Sequence, residues 1–220
     1  MTLFRDRADA GRQLAARLED YKGKAEVLVL ALPRGGVPVA FEIATAINAP
    51  LDVMTVRKLG TPGQPELAMG AIATGGVRVM NEDVLRMCAI SEEAIAAVAE
   101  RELKELARRE QAYRGDRKRP EIAGKVVILV DDGVATGATM RAAIAALRQL
   151  APAKIVVAVP HGAEETCETL RREADELVCL ATPWPYMAVG RWYQNFTQTS
   201  DAEVARLLAA ANEPRVARSE

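Results

Sequence analysis

The chain has 220 residues, of which 50% are hydrophobic and 27% charged, and its formal net charge is −1. This length fits one α/β domain, and no apolar run approaches the ~20 residues that a membrane-spanning helix needs. A charge this close to zero gives no general attraction to nucleic acid, so any anion site has to be built locally.

Helical and strand patterns alternate along most of the chain. Apolar runs predict buried strands, and apolar residues at three- and four-residue spacing predict helices. The predicted helices are Phe4 to Tyr21, Pro38 to Ile47, Glu92 to about Tyr113, Thr139 to Leu150, Glu164 to Glu173 and a last one capped by Ser200 and Glu203 that runs to Ala211. The predicted strands are 27–32, 51–56, 126–130, 154–159 and 177–181, with 68–73 and 77–80 forming a hairpin around 74–76. This order predicts an α/β fold with a central parallel sheet and helices on both faces.

The most informative segment follows the strand 126–130, where two aspartates precede a glycine-rich turn that opens a helix near Thr139. The free amides and positive dipole end of that helix suit a phosphate. Asp131 and Asp132 would repel a phosphate and suit the hydroxyls of a sugar, or a metal held through water. The segment therefore offers a phosphate site beside a ribose site, and a side chain at Gly137 is expected to fill the phosphate site.

Two further loops are predicted at the same edge of the sheet, because ligands of such sheets bind beyond the carboxyl ends of the strands. After the first strand, Gly35 and Gly36 let backbone amides approach an anion, and Arg34 adds a bidentate donor. At the end of the second predicted strand, Arg57 and Lys58 either neutralise a pyrophosphate or form a solvated surface pair. We expect the three loops to converge.

Residues 127–139 resemble the signature of the type I phosphoribosyltransferases, whose hydrophobic run, acidic pair and Thr-Gly-x-Thr loop bind phosphoribosyl pyrophosphate. Neither a Gly-Lys-Ser/Thr loop nor G-x-G-x-x-G is present, which disfavours a P-loop NTPase and a dinucleotide-binding fold. The layout around Arg34 and Arg57 is similar to that of stand-alone bacterial phosphoribosyltransferase-domain proteins. The resemblance implies one domain over 1–220, with a core at about 24–181, a flap hairpin at about 57–80 and a small C-terminal hood and helix at about 182–212.

The resemblance also assigns site residues. The ribose-phosphate loop comprises Asp131, Asp132, Gly133, Val134, Ala135, Thr136, Gly137, Ala138 and Thr139. Pyrophosphate is assigned to Arg34, Gly35, Gly36, Arg57 and Lys58, and catalysis to Asp131, Asp132, Arg57 and Lys58. Mg²⁺ is the implied cofactor, held by Asp131 and Asp132 through water. The family often has a strained, sometimes cis, peptide in the pyrophosphate loop, which is expected at Arg34–Gly35. The stretch from Leu59 to Met69 is expected to be a mobile flap, a hinged loop rather than a packed element.

The implied reaction is transfer of the phosphoribosyl group from phosphoribosyl pyrophosphate to a nitrogen base or similar small acceptor, with release of pyrophosphate. The alternative is a non-catalytic regulatory protein that binds phosphoribosyl pyrophosphate or a nucleotide. A sugar-phosphate hydrolase fits less well, because no positioned nucleophile is evident. Cys88, Cys167 and Cys179 are scattered and the N-terminus has no apolar signal region, so we expect free thiols and a cytoplasmic protein. The resemblance implies a role in nucleotide metabolism.

Three features remain open at this stage. His161 has either a stacking or proton-transfer role or a structural one. The aromatic-rich stretch 183–196 forms a hood over a flat acceptor or pins a long loop to the core. The charged helix 92–109 favours a solvated face or contact with a second copy in a homodimer over nucleic-acid binding, and no membrane partner is expected.

Overall fold

The computed structural model describes residues 2–213. Its α-helices are α1 (Arg7–Ala15), α2 (Gly36–Ile47), α3 (Glu82–Met87), α4 (Glu92–Arg114), α5 (Ala138–Gln149), α6 (Glu164–Glu173) and α7 (Asp201–Asn212). Its strands are β1 (Val27–Ala31), β2 (Leu51–Val53), β3 (Val56–Thr61), β4 (Gln64–Ala73), β5 (Val77–Met80), β6 (Val126–Val130), β7 (Lys154–His161) and β8 (Glu176–Ala181). Short 3₁₀ turns cover Glu19–Tyr21, Thr74–Gly76 and Val189–Trp192.

The central sheet is parallel, with strand order β2-β1-β6-β7-β8. Strands β1 and β6 lie side by side, in register from Val27 opposite Val126 to Ala31 opposite Val130. From this pair the chain crosses in opposite directions, through α2 to β2 and through α5 to β7. The gap between β1 and β6 is therefore a topological switch point, where open α/β sheets bind their ligands.

Both faces of the central sheet are covered. Val29 and Ile128 face a core formed with α1, α2 and α7, whereas Leu30 and Leu129 face a core formed with α5 and α6. Because both faces are buried, these strands are apolar at every position instead of alternating. The predicted fold class, a parallel sheet between two helical layers, is confirmed.

The predicted flap is wrong as a hinged loop, because it is a packed part of a second sheet. Strands β3, β4 and β5 form an antiparallel sheet whose Leu59, Met69 and Ile72 are fully buried. These side chains pack on Val98 and Leu106 of α4. The glycines and prolines of the segment lie around the hairpin turn, and the strand pattern continues on both sides of it. Helix α3, which follows β5, was not predicted.

The second parallel strand is shorter than predicted and ends at Val53 instead of residue 56. Thr55 leaves the central sheet: its amide donates to Thr74 Oγ1 at 2.8 Å, and the Thr74 amide donates to the Thr55 carbonyl at 2.8 Å. These two hydrogen bonds lie at the start of the antiparallel pairing between β3 and β4. Arg57 and Lys58 consequently lie within β3 and not at the end of a parallel strand.

The segment before α1 pairs with the segment before α7. Phe4 forms a parallel bridge with Tyr193, and its amide donates to the Trp192 carbonyl at 3.0 Å. Helix α7 packs on α2 and α4 and begins as predicted, with Ser200 Oγ accepting from the Glu203 amide at 3.1 Å. None of the helices within residues 2–213 combines the length and apolar composition required to cross a bilayer.

Candidate active site

The glycine-rich turn after β6 forms an open cradle at the switch point. A cavity of about 140 Å³ is lined by Asp131, by Met140 and by the residues from Gly133 to Thr139. The first hydrogen bond of α5 runs from the Arg141 amide to the Gly137 carbonyl at 2.8 Å. The amides of residues 138–140 precede that bond and have no partner within the helix, an arrangement that is chemically suited to an anion.

The cradle is fixed from below by the turn between β7 and α6. The Val134 amide donates to the His161 carbonyl at 3.0 Å, and the Ala163 amide donates to the Val134 carbonyl at 3.0 Å. Thr166 Oγ1 donates to the Ala135 carbonyl at 2.6 Å. The turn is thus held open by hydrogen bonds and is not filled by side chains.

The acidic pair divides between two environments. Asp131 is half-buried and lines the cradle, and its Oδ1 accepts the Asp132 amide at 2.8 Å. Asp132 is buried, and its carboxylate is already paired, because its Oδ2 accepts from Arg7 Nε at 2.7 Å. Burial raises the pKa of Asp131 well above its ordinary value, and the charge of Asp132 raises it further. Burial also raises the pKa of Asp132, which the Arg7 charge opposes.

The loop after β1 packs directly against the acidic pair. A Cβ at Gly35 would overlap the Asp132 carboxylate, and one at Gly36 would lie 2.7 Å from the Val130 carbonyl oxygen. The two glycines therefore permit a close approach of two loops that are distant in sequence. Arg34 is about two-fifths exposed, with Nη1 3.6 Å from Asp201 Oδ1. The cis peptide of this loop is Pro33–Arg34, one residue before the expected Arg34–Gly35 bond.

Glycine is required at position 137, but not because a side chain there would fill the phosphate site, as predicted. Its φ is +71°, and an added Cβ would meet Thr166 Cγ2 at 2.7 Å. A side chain here would therefore strain the backbone and push on α6 instead of filling the cradle.

The two predicted cations of β3 point in different directions, as neighbours on a strand do. Arg57 turns to α4, where its Nε donates to Glu102 Oε2 at 2.9 Å. Lys58 lines a groove of about 600 Å³ that also reaches Ala138 and Thr139 at the start of α5. Its Nζ lies 3.3 Å from Oε2 of the solvated Glu66. The structure thus brings Lys58, and not Arg57, to the side of the cradle.

His161 is fully buried beneath the cradle and supports it. An added Cβ at Gly133 would lie 2.6 Å from His161 Cε1. The imidazole Nδ1 is 2.9 Å from the Tyr186 hydroxyl, and the ring stacks on Phe4 with centroids 5.9 Å apart. Burial lowers the pKa of His161 to about 4. These contacts favour the structural interpretation over proton transfer.

The aromatic-rich segment is pinned to the core at Tyr193, as one of the two predictions for it requires, and a role as a hood over an acceptor stays a prediction. Tyr193 is 4% exposed and pins the segment to the core through Phe4 and His161. Trp184 is 88% exposed and Met187 68% exposed. Tyr186, which lies between them in the sequence, is anchored to His161, and these two apolar side chains are exposed at the surface.

Arg7 and Tyr193 are part of the site, although sequence reasoning did not single them out for it. The Tyr193 hydroxyl donates to the Asp132 carbonyl at 2.6 Å, and Arg7 holds the carboxylate of the same residue. Their separations from Asp132, 61 and 125 residues, leave no local pattern that would identify them. The only available signal is an arginine among the polar residues of the first helix.

A model of the phosphoribosyl transferase domain family matches residues 4–191. A Mycobacterium tuberculosis (strain H37Rv) protein with the provisional name phosphoribosyl transferase is 53% identical over 212 residues, 96% of this chain and 48% of the relative. The chain thus spans about half the length of the curated relatives that it matches in this way. A ribose-phosphate pyrophosphokinase of Pyrococcus furiosus is 42% identical over 64 residues, 28% of this chain and 23% of the relative.

Among solved structures, TT1426 from Thermus thermophilus is 41% identical, with a TM-score of 0.84 that covers 95% of this chain and 99% of the other. The family match contains the cradle, the acidic pair and the loop after β1. The chain therefore belongs to the phosphoribosyl transferase domain family.

Proposed function

We propose that this protein binds phosphoribosyl pyrophosphate with Mg²⁺ and transfers the phosphoribosyl group to a nitrogen base or similar small acceptor. The observation that carries the proposal is the cradle at the switch point, where free amides at the start of α5 lie beside the Asp131 carboxylate. Amides suit the terminal phosphate of the sugar, and a carboxylate suits its hydroxyls. The name of the Pyrococcus relative, which contains ribose-phosphate, supports the same ligand class.

The chemistry depends on charge placement. Displacement of pyrophosphate from C1 of the ribose leaves positive charge on the sugar ring and negative charge on the leaving group. Asp131 holds the ribose hydroxyls and, with Asp132, provides negative charge near the ring. The Gly35 amide, Arg34 and Lys58 provide donors for the pyrophosphate. The Gly36 amide is not available for this role, because it already donates to the Leu32 carbonyl at 3.1 Å. The protein acts by positioning and electrostatics and not as a nucleophile.

The residues present fit a magnesium ion that enters with its substrate. Mg²⁺ commonly uses one or two carboxylates together with substrate phosphates and waters. Within residues 2–213 no group of three or more histidine, cysteine or acidic side chains could hold a metal alone. Asp131, at the lining of the cradle, is the first candidate ligand, and Asp132 is the second through water. When bound, the ion neutralises charge on the leaving group.

The exposed hood favours a flat acceptor of low polarity. Trp184 and Met187 present exposed apolar area in a segment that Tyr186 ties to His161, which lies beneath the cradle. Stacking on an aromatic ring is a common way to hold a planar heterocycle. The acceptor class proposed is therefore a nitrogen base.

A non-catalytic regulatory protein that binds phosphoribosyl pyrophosphate or a nucleotide is the second candidate. One observation favours it: Arg57, assigned to the leaving group, is engaged by Glu102 of α4. A regulatory protein would not need Arg57 to contact the leaving group, whereas an enzyme would have to bind the leaving group through Arg34 and Lys58.

For the cellular setting we propose nucleotide metabolism in the cytoplasm. Cys88, Cys167 and Cys179 are all free thiols, which suits a reducing compartment. Helix α4 carries ion pairs such as Lys104–Glu100 and Arg108–Glu105 along its exposed side. This pattern suits a solvated surface or a homodimer contact more than a nucleic-acid contact.

The test combines binding and turnover. The protein is titrated with phosphoribosyl pyrophosphate in the presence and absence of Mg²⁺ by calorimetry, and then incubated with both and a panel of bases while pyrophosphate release is followed. Binding with base-dependent release supports the enzyme. Binding without release for any base supports the regulatory protein, and absence of binding contradicts both.

A further inference from the structure

The side chain of Arg7, in α1, makes several contacts that the helix itself does not require. Its Nε donates to Asp132 Oδ2 at 2.7 Å, and its Nη1 donates to the Thr197 carbonyl at 2.7 Å. Its guanidinium carbon lies 3.9 Å from the centroid of the Phe196 ring. The side chains of Arg7 and Asp132 are only 11% and 12% exposed. A planar cation is thus held at its edge by hydrogen bonds and at its face by an aromatic ring.

The same C-terminal segment also fixes the backbone of Asp132. The Tyr193 hydroxyl donates to the Asp132 carbonyl at 2.6 Å, and the Tyr193 ring stacks on Phe196 with centroids 5.2 Å apart. Asp132 is therefore held at its carboxylate by Arg7 and at its carbonyl by Tyr193.

The position imposed on Asp132 matters for the substrate site. The carboxylate lies where a side chain at Gly35 would have to lie, so it is packed directly against the loop after β1. If the carboxylate turned toward the cradle, two adjacent negative charges would face the terminal phosphate. A guanidinium that neutralises and orients Asp132 leaves Asp131 as the carboxylate that lines the cradle.

We propose that Arg7 is a positioning residue for phosphoribosyl pyrophosphate, acting through Asp132, with Phe196 holding its guanidinium in the plane that this contact needs. The inference rests on the proposed function, because it concerns the same ligand. It adds that α1 and the segment 193–197, and not only the signature loop, determine the geometry of the acidic pair. Arg7 itself does not touch the substrate.

The experiment is a double-mutant cycle read by calorimetric titration with phosphoribosyl pyrophosphate and Mg²⁺. Arg7→Met is expected to weaken binding roughly tenfold or more, because a buried carboxylate loses its partner. Arg7→Lys keeps the charge and restores part of the affinity. In an Asp132→Asn background, Arg7→Met has little further effect. Phe196→Leu produces a smaller loss, which disappears in the Arg7→Met background.

Arg148→Met is the matched control. Arg148 also pairs with a carboxylate, Asp175, at 2.8 Å and donates to a backbone carbonyl, that of Glu173, at 3.1 Å. It lies at the far end of α5, and its replacement should leave affinity unchanged. Thermal unfolding of every variant separates lost binding from lost folding, and Arg7→Lys serves if Arg7→Met does not fold.

The outcomes separate this inference from the proposed function. If the wild-type protein binds phosphoribosyl pyrophosphate and the Arg7 variants bind it with the same affinity, the role of Arg7 is overturned and the proposed function stands. Additive losses from Arg7→Met and Asp132→Asn also overturn it, because they indicate that Arg7 acts on the ligand independently. No binding by the wild-type protein overturns both proposals.

Discussion

Gly35 and Asp132 are in contact across the switch point, and the Asp132 carboxylate occupies the space that a side chain at position 35 would need. The two residues belong to loops that follow β1 and β6. These strands are neighbours in the sheet, although paired positions such as Val27 and Val126 are far apart in the sequence. The proposed pyrophosphate loop and the proposed ribose site are therefore one packed unit.

Gly35→Ala is expected to lower the free energy of unfolding by about 1–3 kcal/mol, because overpacked positions respond on this scale. Binding of phosphoribosyl pyrophosphate should weaken as Asp132 is displaced. In an Asp132→Ala background the same change should be much less destabilising, since the overlapping carboxylate is gone. Denaturant unfolding of the four proteins measures the coupling, and equal effects of Gly35→Ala in both backgrounds would contradict the contact.

The two aspartates should respond differently to conversion to asparagine. Asp131→Asn removes a carboxylate whose ionised form is disfavoured by burial, so stability at pH 7 should be maintained or rise while turnover falls at least a hundredfold. Asp132→Asn should lose turnover and also about 1–3 kcal/mol of stability, because Arg7 is left without its charged partner. Pyrophosphate release and thermal unfolding test the pair. Equal stability of the two variants would argue against the Arg7–Asp132 contact.

Gly137→Ala should reduce stability by about 1–2 kcal/mol, because a left-handed residue other than glycine is strained. A methyl–methyl clash with Thr166 adds to this effect. Thr166→Ser removes that methyl group and keeps the hydroxyl that bonds Ala135. The double variant should therefore regain part of the lost stability and of the affinity for phosphoribosyl pyrophosphate. If Thr166→Ser gives no relief, the strain lies in the backbone alone.

The sequence was sufficient to predict those parts of the structure whose determinants lie close together along the chain. Continuous apolar runs such as Val27 to Ala31 predicted the buried parallel strands, and the acidic pair with its glycine turn predicted the cradle. The flap was misinterpreted because Gly60 and Gly63 suggested a loop and concealed the strand positions of Leu59 and Met69. The partners of Asp132 could not be predicted, because only the folded chain brings Arg7 and Tyr193 to one residue.

His161 should make the protein less stable in acid. Its pKa is lowered to about 4 in the folded protein from an ordinary value of 6.5. The unfolded chain therefore takes up the proton first as the pH falls, so the stability from this residue is complete above about pH 6.5 and is lost as the pH falls from there toward 4. Between pH 7 and pH 5 the loss is about 2 kcal/mol. His161→Phe keeps a ring and removes the titration, so the pH dependence of its unfolding free energy should differ from that of the wild type by this amount. Parallel curves would show that His161 is not buried in its neutral form.

Substitutions at Arg57 and Lys58 should show that Arg57 has a structural role and Lys58 a functional one. Arg57→Gln leaves Glu102, whose side chain is 11% exposed, without its main partner, and is expected to destabilise the protein by about 1–3 kcal/mol with little change in affinity for phosphoribosyl pyrophosphate. Lys58→Gln removes a half-exposed ion pair worth less than about 1 kcal/mol, so stability should hold while pyrophosphate release slows. Glu66→Gln is the control, because it frees Lys58 without removing the cation and should leave turnover unchanged. Loss of turnover in a stable Arg57→Gln protein would instead mean that the arginine leaves Glu102 and turns to the leaving group during the reaction.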